Sequence, residues 1–128
     1  MGSAYPFTGR SILVVEDEPL IAMEMTALFE SAGAKVRQAR TVAEAADRSE
    51  GVSAAVLDYR LGEENTPTLC ALLAERHIPF MFYSGYADLE KTYPGTLVIP
   101  KPSSANALLT AMAGLVAPRA GALAVEHA

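Results

Sequence analysis

The chain has 128 residues, of which 51% are hydrophobic and 20% are charged, a composition that is typical of one globular domain with a single core rather than of a disordered chain. Its 10 lysines and arginines against 15 aspartates and glutamates leave a formal charge of −5, which argues against nucleic acid and anionic lipid as partners. No apolar stretch approaches the roughly 18 residues of a membrane span, so we expect no membrane association. The N-terminal residues lack the basic and then apolar pattern of a secretory signal, so we expect none there. The single cysteine, Cys70, cannot form an internal disulfide, and its apolar neighbours predict a buried thiol in a reducing cytoplasm.

Strand and helix signals alternate in the first part of the chain. The apolar run Ser11–Val15 predicts a buried strand, and Pro19 suits the first turn of a helix capped by the acids before it. Gly33 is expected to end that helix, and Lys35–Ala39 predicts an edge-like strand. The segment Thr41–Glu44 has the pattern of a capping box and predicts the start of a second helix.

The same alternation continues to the end of the chain. Strands are predicted at Ala54–Asp58, Phe80–Tyr83 and about Thr96–Ile99. A polar loop follows the first of these, and a helix is expected from Thr66, with leucines facing the core. The last helix is expected to begin at Ser103 or Ser104.

Five strands that alternate with helices predict an α/β fold with a parallel sheet covered by helices on both faces. Right-handed crossovers leave few topologies, and we expect the flavodoxin-like, doubly wound order 2-1-3-4-5, with strands 1 and 3 adjacent. The predicted organisation is an N-terminal extension over residues 1–10, one domain over residues 11–117 and a C-terminal tail over residues 118–128.

Polar side chains stand at the ends of four predicted strands. Carboxylates at Glu16, Asp17 and Asp58 would crowd one spot, where their repulsion calls for a cation, and carboxylate oxygens are natural ligands of Mg²⁺. Asp58 can attack a phosphoryl group, Lys101 can supply a charge to its oxygens, and the Ser84 hydroxyl can donate a hydrogen bond to it. A cis peptide between Lys101 and the proline after it would direct the lysine into the site.

These residues resemble the receiver domains of two-component response regulators. The matching segments are Val14–Pro19, Val56–Asp58, Ser84–Gly85 and Lys101–Pro102. The resemblance implies phosphotransfer onto Asp58 from a sensor histidine kinase or a histidine phosphotransfer protein, without turnover of a substrate as in an enzyme. It further implies that Asp17, Glu16 and the main-chain carbonyl of Arg60 hold Mg²⁺, and that Ser84 and Lys101 are the switch residues. A cytoplasmic protein that signals by protein contact, as a monomer or a phosphorylation-dependent homodimer, is the resulting expectation.

The sequence departs from the receiver pattern at two places. The family usually has an aromatic residue three positions before the lysine, where this chain has Val98. The interval from Ser84 to Lys101 is short and contains the turn signal Tyr93–Gly95, so we expect a shortened fourth helix over about Ala87–Thr92.

Two further interpretations concern the same region. The segment Phe82–Tyr86, together with Pro100, is similar to a subgroup of stand-alone receivers with a Phe-Ala-Thr-Gly motif. Tyr86 and Arg60 would overhang the phosphoryl group and slow its hydrolysis.

Two alternatives for the function stay open. One is a receiver-like interaction module that acts without phosphorylation. The other is a haloacid-dehalogenase-type phosphatase, whose required second acid is replaced here by Arg60.

Overall fold

The computed structural model describes residues 6–59, 66–85 and 89–116. The sheet has five parallel strands in the order β2-β1-β3-β4-β5, which confirms the predicted flavodoxin-like topology. The strands are β1 (Ser11–Val15), β2 (Lys35–Ala39), β3 (Ala54–Leu57), β4 (Phe80–Ser84) and β5 (Leu97–Pro100). The helices are α1 (Pro19–Ser31), α2 (Val42–Arg48), α3 (Thr66–Glu75), α4 (Leu89–Thr92) and α5 (Ala105–Val116).

Local hydrogen bonds and backbone conformation set where the first two helices begin and end. Thr41 Oγ1 accepts from Glu44 N at 3.1 Å and so starts α2, as the capping pattern predicted. The Glu44 carboxylate accepts from Arg40 N at 2.8 Å, one residue before the N-terminal cap. Gly33 ends the α1 segment with a φ of 102°, a conformation that glycine adopts without steric cost.

The last strand and helix begin slightly later than predicted. The Thr96 N–H donates to Tyr93 O at 3.1 Å and is thereby held in a turn, so β5 starts at Leu97. The helix α5 starts at Ala105 because Ser104 serves as its cap, with its hydroxyl accepting from Ala107 N at 3.1 Å.

Two hydrophobic clusters cover the two faces of the sheet. In β1, Leu13 and Val15 point into the cluster on the side of α2 and α3, and Ile12 and Val14 point into the cluster on the side of α1 and α5. All four side chains have no exposed surface, as expected of a central parallel strand. Among the residues that the structure describes, no helix combines the length and the apolar character needed to cross a membrane.

The Cys70 thiol is buried in α3, as its apolar neighbours predicted, and burial raises its pKa from 9.0 to about 11. A raised pKa in the folded state contributes stability that is present below pH 9 and is lost as the pH rises toward 11. We therefore expect the free energy of unfolding, measured with urea, to fall between pH 8 and pH 10 by about 1 kcal/mol more in the parent than in Cys70→Ala. The same pH dependence in both proteins would contradict a buried thiol at this position.

Candidate functional site

The acidic residues meet because β1 and β3 are neighbours whose carboxyl ends lie at the same edge of the sheet. Val15 is in register with Leu57, so Glu16 and Asp58 are the next residues along two adjacent strands. The Asp58 N–H donates to the Val15 carbonyl at 2.9 Å, which extends the ladder one step beyond the last residue of β3. The carboxyl ends of such strands are where open α/β sheets bind ligands.

Three carboxylates form one cluster at this edge. Glu16, Asp17 and Asp58 each offer an oxygen, and these oxygens lie within 4.8 Å of one another. Glu16 is only 1% exposed and Asp58 9% exposed. Oxygens bound to one Mg²⁺ at about 2.1 Å lie up to about 4.2 Å apart, so small side-chain adjustments bring this donor set to Mg²⁺ geometry. The cluster therefore fits a hard divalent cation.

Lys101 reaches the cluster from the end of β5, two strands away from β3 at the same edge of the sheet. Its ammonium nitrogen, Nζ, lies 2.9 Å from Glu16 Oε1 and 3.6 Å from Asp58 Oδ2. The peptide bond between Lys101 and Pro102 is cis, as predicted. The Lys101 N–H donates to the Ser84 carbonyl at 3.1 Å, which ties the start of this segment to the end of β4. The lysine is thus a counter-charge to two buried acids.

Burial and charge shape the proton affinities in the cluster. Burial raises the pKa of Glu16 to about 7, although hydrogen bonds from Lys101 Nζ and from the Glu18 N–H oppose the rise. Burial lowers the pKa of Lys101, but its bond to Glu16 and the negative charge of Asp58 outweigh that effect and hold the pKa above its ordinary value. The lysine is therefore charged at neutral pH.

Two predicted site residues remain, Ser84 and Arg60, and the structure describes only Ser84. Ser84 is the last residue of β4, is 3% exposed and lies at the same sheet edge as the acids. Arg60 and Tyr86 lie outside the described residues, so their predicted roles stay predictions. Within the described part, α4 ends at Thr92 as predicted, and its first described residue is Leu89.

The structure also shows an aromatic cluster beside the site that the sequence patterns did not predict. The ring of Tyr59, the residue after Asp58, lies 6.0 Å from the ring of Phe82 and 6.0 Å from that of Tyr93. The rings of Phe82 and Tyr93 are 5.0 Å apart. Val98, at the position where receiver domains usually have an aromatic residue, is in register with Phe82 and packs against the same hydrophobic cluster. The only sequence signal was the presence of tyrosines directly after Asp58 and in the turn before β5.

Tyr83 is a second contact that sequence reasoning missed. Strand alternation correctly placed Tyr83 and Phe82 on opposite faces of β4. Its contact with the site was not predicted: Lys101 Nζ lies over the Tyr83 ring, 5.6 Å from the centroid. The Tyr83 hydroxyl accepts from Ser103 N at 3.3 Å. Alternation assigns a face of the sheet, and it does not determine which side chain from a neighbouring loop will cover the ring.

Solved structures similar to this chain include response regulator receiver domains. The non-phosphorylated HemR receiver domain from Leptospira biflexa matches with a TM-score of 0.74 and 25% identity, over 86% of this chain and 96% of its own. A CheY-like receiver domain protein from Methanospirillum hungatei JF-1 matches with a TM-score of 0.75 and 24% identity, over 84% and 93% respectively. The PhyR response regulator REC domain from Erythrobacter litoralis matches with a TM-score of 0.74 and 23% identity, over 87% and 95%.

The sheet order and the acidic cluster define a receiver-type α/β domain. The structural neighbours confirm the resemblance to response regulator receiver domains that the strand-end motifs indicated. At these identities the likeness establishes the fold. No family model matches the chain, and no curated protein matches it.

Proposed function

We propose that this chain is a response regulator receiver domain that accepts a phosphoryl group on Asp58 in a Mg²⁺-dependent reaction. The observation that carries the proposal is the placement of Lys101 Nζ 2.9 Å from Glu16 and 3.6 Å from Asp58, beside a third carboxylate, on a receiver fold. The proposed donors are a sensor histidine kinase and a histidine phosphotransfer protein. Similarity to HemR, PhyR and CheY-like receivers supports this assignment.

In the proposed reaction, a carboxylate oxygen of Asp58 attacks the phosphorus atom of a phosphohistidine. The new O–P bond forms as the P–N bond to the imidazole breaks, and the electron pair of that bond stays on the imidazole nitrogen, which takes up a proton. Glu16, Asp17 and Asp58, together with the main-chain carbonyl of Arg60, would hold Mg²⁺, whose charge would neutralise part of the negative charge on the transferring oxygens.

The roles of Lys101 and Ser84 follow from charge and position. The Lys101 ammonium would give up part of its contact with the Glu16 and Asp58 carboxylates and bind a phosphoryl oxygen in their place. The exchange is favourable because the carboxylates and the phosphoryl oxygen are all anionic. The Ser84 hydroxyl would donate to another phosphoryl oxygen from the end of β4. These new bonds would shift a two-state equilibrium of the surrounding loops, and the shifted surface would be read by a protein partner.

The direct test is phosphorylation by a small-molecule donor. Incubation with acetyl phosphate and Mg²⁺ is expected to add the mass of one phosphoryl group to the intact protein, and the adduct should have the hydroxylamine sensitivity of an acyl phosphate. Excess EDTA is expected to prevent the addition, because the three carboxylates alone repel an anionic donor. A protein that remains unmodified with Mg²⁺ present, while a known receiver is labelled in parallel, would contradict the proposal.

Two observations favour a second function, a receiver-like module that binds partners without phosphorylation. Val98 stands where receivers usually have an aromatic residue, and the described part of α4 is a single turn, Leu89–Thr92. The two functions differ in their response to beryllium fluoride, which mimics the acyl phosphate. Binding of fluoroberyllate with Mg²⁺ supports the phosphoacceptor, and partner binding that is the same with and without it supports the module.

A further inference from the structure

The Lys101 ammonium has two kinds of contact, ion pairs with carboxylates and a cation–π contact with an aromatic ring. On one side lie two carboxylates, Glu16 at 2.9 Å and Asp58 at 3.6 Å. On the other lies the ring of Tyr83, with its centroid 5.6 Å from Nζ. An ammonium within about 6 Å of an aromatic centroid is attracted by the negative face of the ring, most strongly where water is partly excluded. The lysine side chain is 20% exposed, so much of its surface is shielded from water.

The ring itself is held in place. Tyr83 belongs to the hydrophobic cluster on the α1 and α5 side of the sheet and is 8% exposed. Its hydroxyl accepts from the N–H of Ser103, in the segment that follows the cis peptide after Lys101. The tyrosine is therefore bound at both ends to the segment that carries the lysine, by its ring face to the ammonium and by its hydroxyl to the backbone. This combination fixes the direction in which Lys101 extends.

We propose that Tyr83 is a positioning residue for Lys101, whose ammonium it holds against Glu16 and Asp58 and thereby at the phosphoryl site. A lysine has many rotamers, and a partly exposed one without the ring would have access to solvent-directed rotamers. The consequence for phosphoryl binding rests on the proposed function, whereas the contact between the ring and the ammonium does not. The two are therefore tested by separate measurements.

We expect variants at Tyr83 to fold, and circular dichroism checks this before the comparison. The Tyr83 side chain lines a cavity of about 520 Å³ between α1 and α5, so a smaller residue enlarges an existing space. Tyr83→Leu removes the ring and keeps an apolar side chain, and Tyr83→Phe keeps the ring and removes only the hydroxyl bond to Ser103. Phe80→Leu is a matched control, because it removes a ring from the same strand on the opposite face of the sheet.

The first measurement is the position of the Lys101 ε-methylene signals in a carbon-proton NMR spectrum, identified by their loss in Lys101→Met. A ring face near the ammonium shifts these signals upfield. We expect the shift in the parent, in Tyr83→Phe and in Phe80→Leu, and its loss in Tyr83→Leu. Parent signals at the position of an exposed lysine such as Lys35 would overturn the proposal.

The second measurement compares binding of fluoroberyllate with binding of Mg²⁺. Tyr83→Leu is expected to weaken fluoroberyllate binding about fivefold and Tyr83→Phe less than twofold, since a partly buried cation–π contact has an effect of that order. Mg²⁺ affinity should change less than twofold, because its proposed ligands are the carboxylates. Equal losses for both ligands, or no loss for either, would overturn the positioning role. A parent that binds no fluoroberyllate would contradict the proposed function, and the NMR signals would still decide the contact.

Discussion

Replacing Asp58 with asparagine is expected to abolish the Mg²⁺-dependent gain of one phosphoryl mass, the largest effect of any substitution in this protein. The amide oxygen of asparagine is uncharged and is a far weaker nucleophile than a carboxylate. The change also removes one of the three carboxylates of the acidic cluster, so the affinity for Mg²⁺ should fall together with the acceptor chemistry. Intact-protein mass spectrometry after acetyl phosphate treatment measures the first effect, and calorimetric titration with Mg²⁺ measures the second.

The control for this substitution is Asp47→Asn, which neutralises an exposed aspartate on α2, away from the sheet edge. It lowers the acidic charge of the protein by the same amount and is expected to leave labelling unchanged. Circular dichroism should show both variants folded. If Asp58→Asn still gains an acid-labile phosphoryl group, the acceptor is a different residue and the proposed role of Asp58 is wrong.

Phe82→Ala is expected to have the largest effect on stability, a loss of about 3–5 kcal/mol in the free energy of unfolding. Phe82 has no exposed surface and its ring packs near those of Tyr59 and Tyr93. Its removal leaves a cavity in the middle of β4, where it is in register with Leu57, next to Asp58. Urea unfolding followed by circular dichroism measures the change.

Phe80→Ala is the matched control, because Phe80 is an aromatic residue of the same strand and packs on the same hydrophobic cluster. Its ring is 5.9 Å from that of Phe82, but it is only half-buried at the start of the strand. Its truncation is expected to lower the free energy of unfolding clearly less than that of Phe82, since water already reaches part of the Phe80 side chain. Equal losses for the two variants would contradict the described burial of Phe82.

The elements of the domain could be predicted because each has a local signal. The apolar run Ser11–Val15 predicts a buried strand regardless of what packs on it, and Thr41 with Glu44 predicts a helix start from hydrogen bonds within one turn. The start of β5 was predicted one residue too early, at Thr96, because the Thr96 N–H donates to the Tyr93 carbonyl in a turn and does not join the strand. Right-handed crossovers left only a few possible strand orders, and 2-1-3-4-5 was expected among them because it places strands 1 and 3, with their acidic ends, side by side.

The candidate site was predictable as a set of residues, and less so as a set of contacts. Acids at the ends of two adjacent parallel strands must lie at one edge, so Glu16 and Asp58 could be placed together from topology alone. Tyr83 could be assigned to a face of β4, but its contact with Lys101 depends on the direction of a lysine from the next strand. The packing of Tyr59 on Tyr93 likewise joins two loops whose approach no periodicity encodes.

The amino-acid sequence by itself determined the parallel sheet, its strand order and the acids, serine and lysine at the strand ends, because hydrophobic period and connection handedness act over short stretches of chain. Only the tertiary structure decided that Lys101 lies 2.9 Å from Glu16, a residue 85 positions away, and that Tyr83 covers its other side. Such contacts depend on side-chain directions and on the packing of distant segments, which are set when the two faces of the sheet are covered.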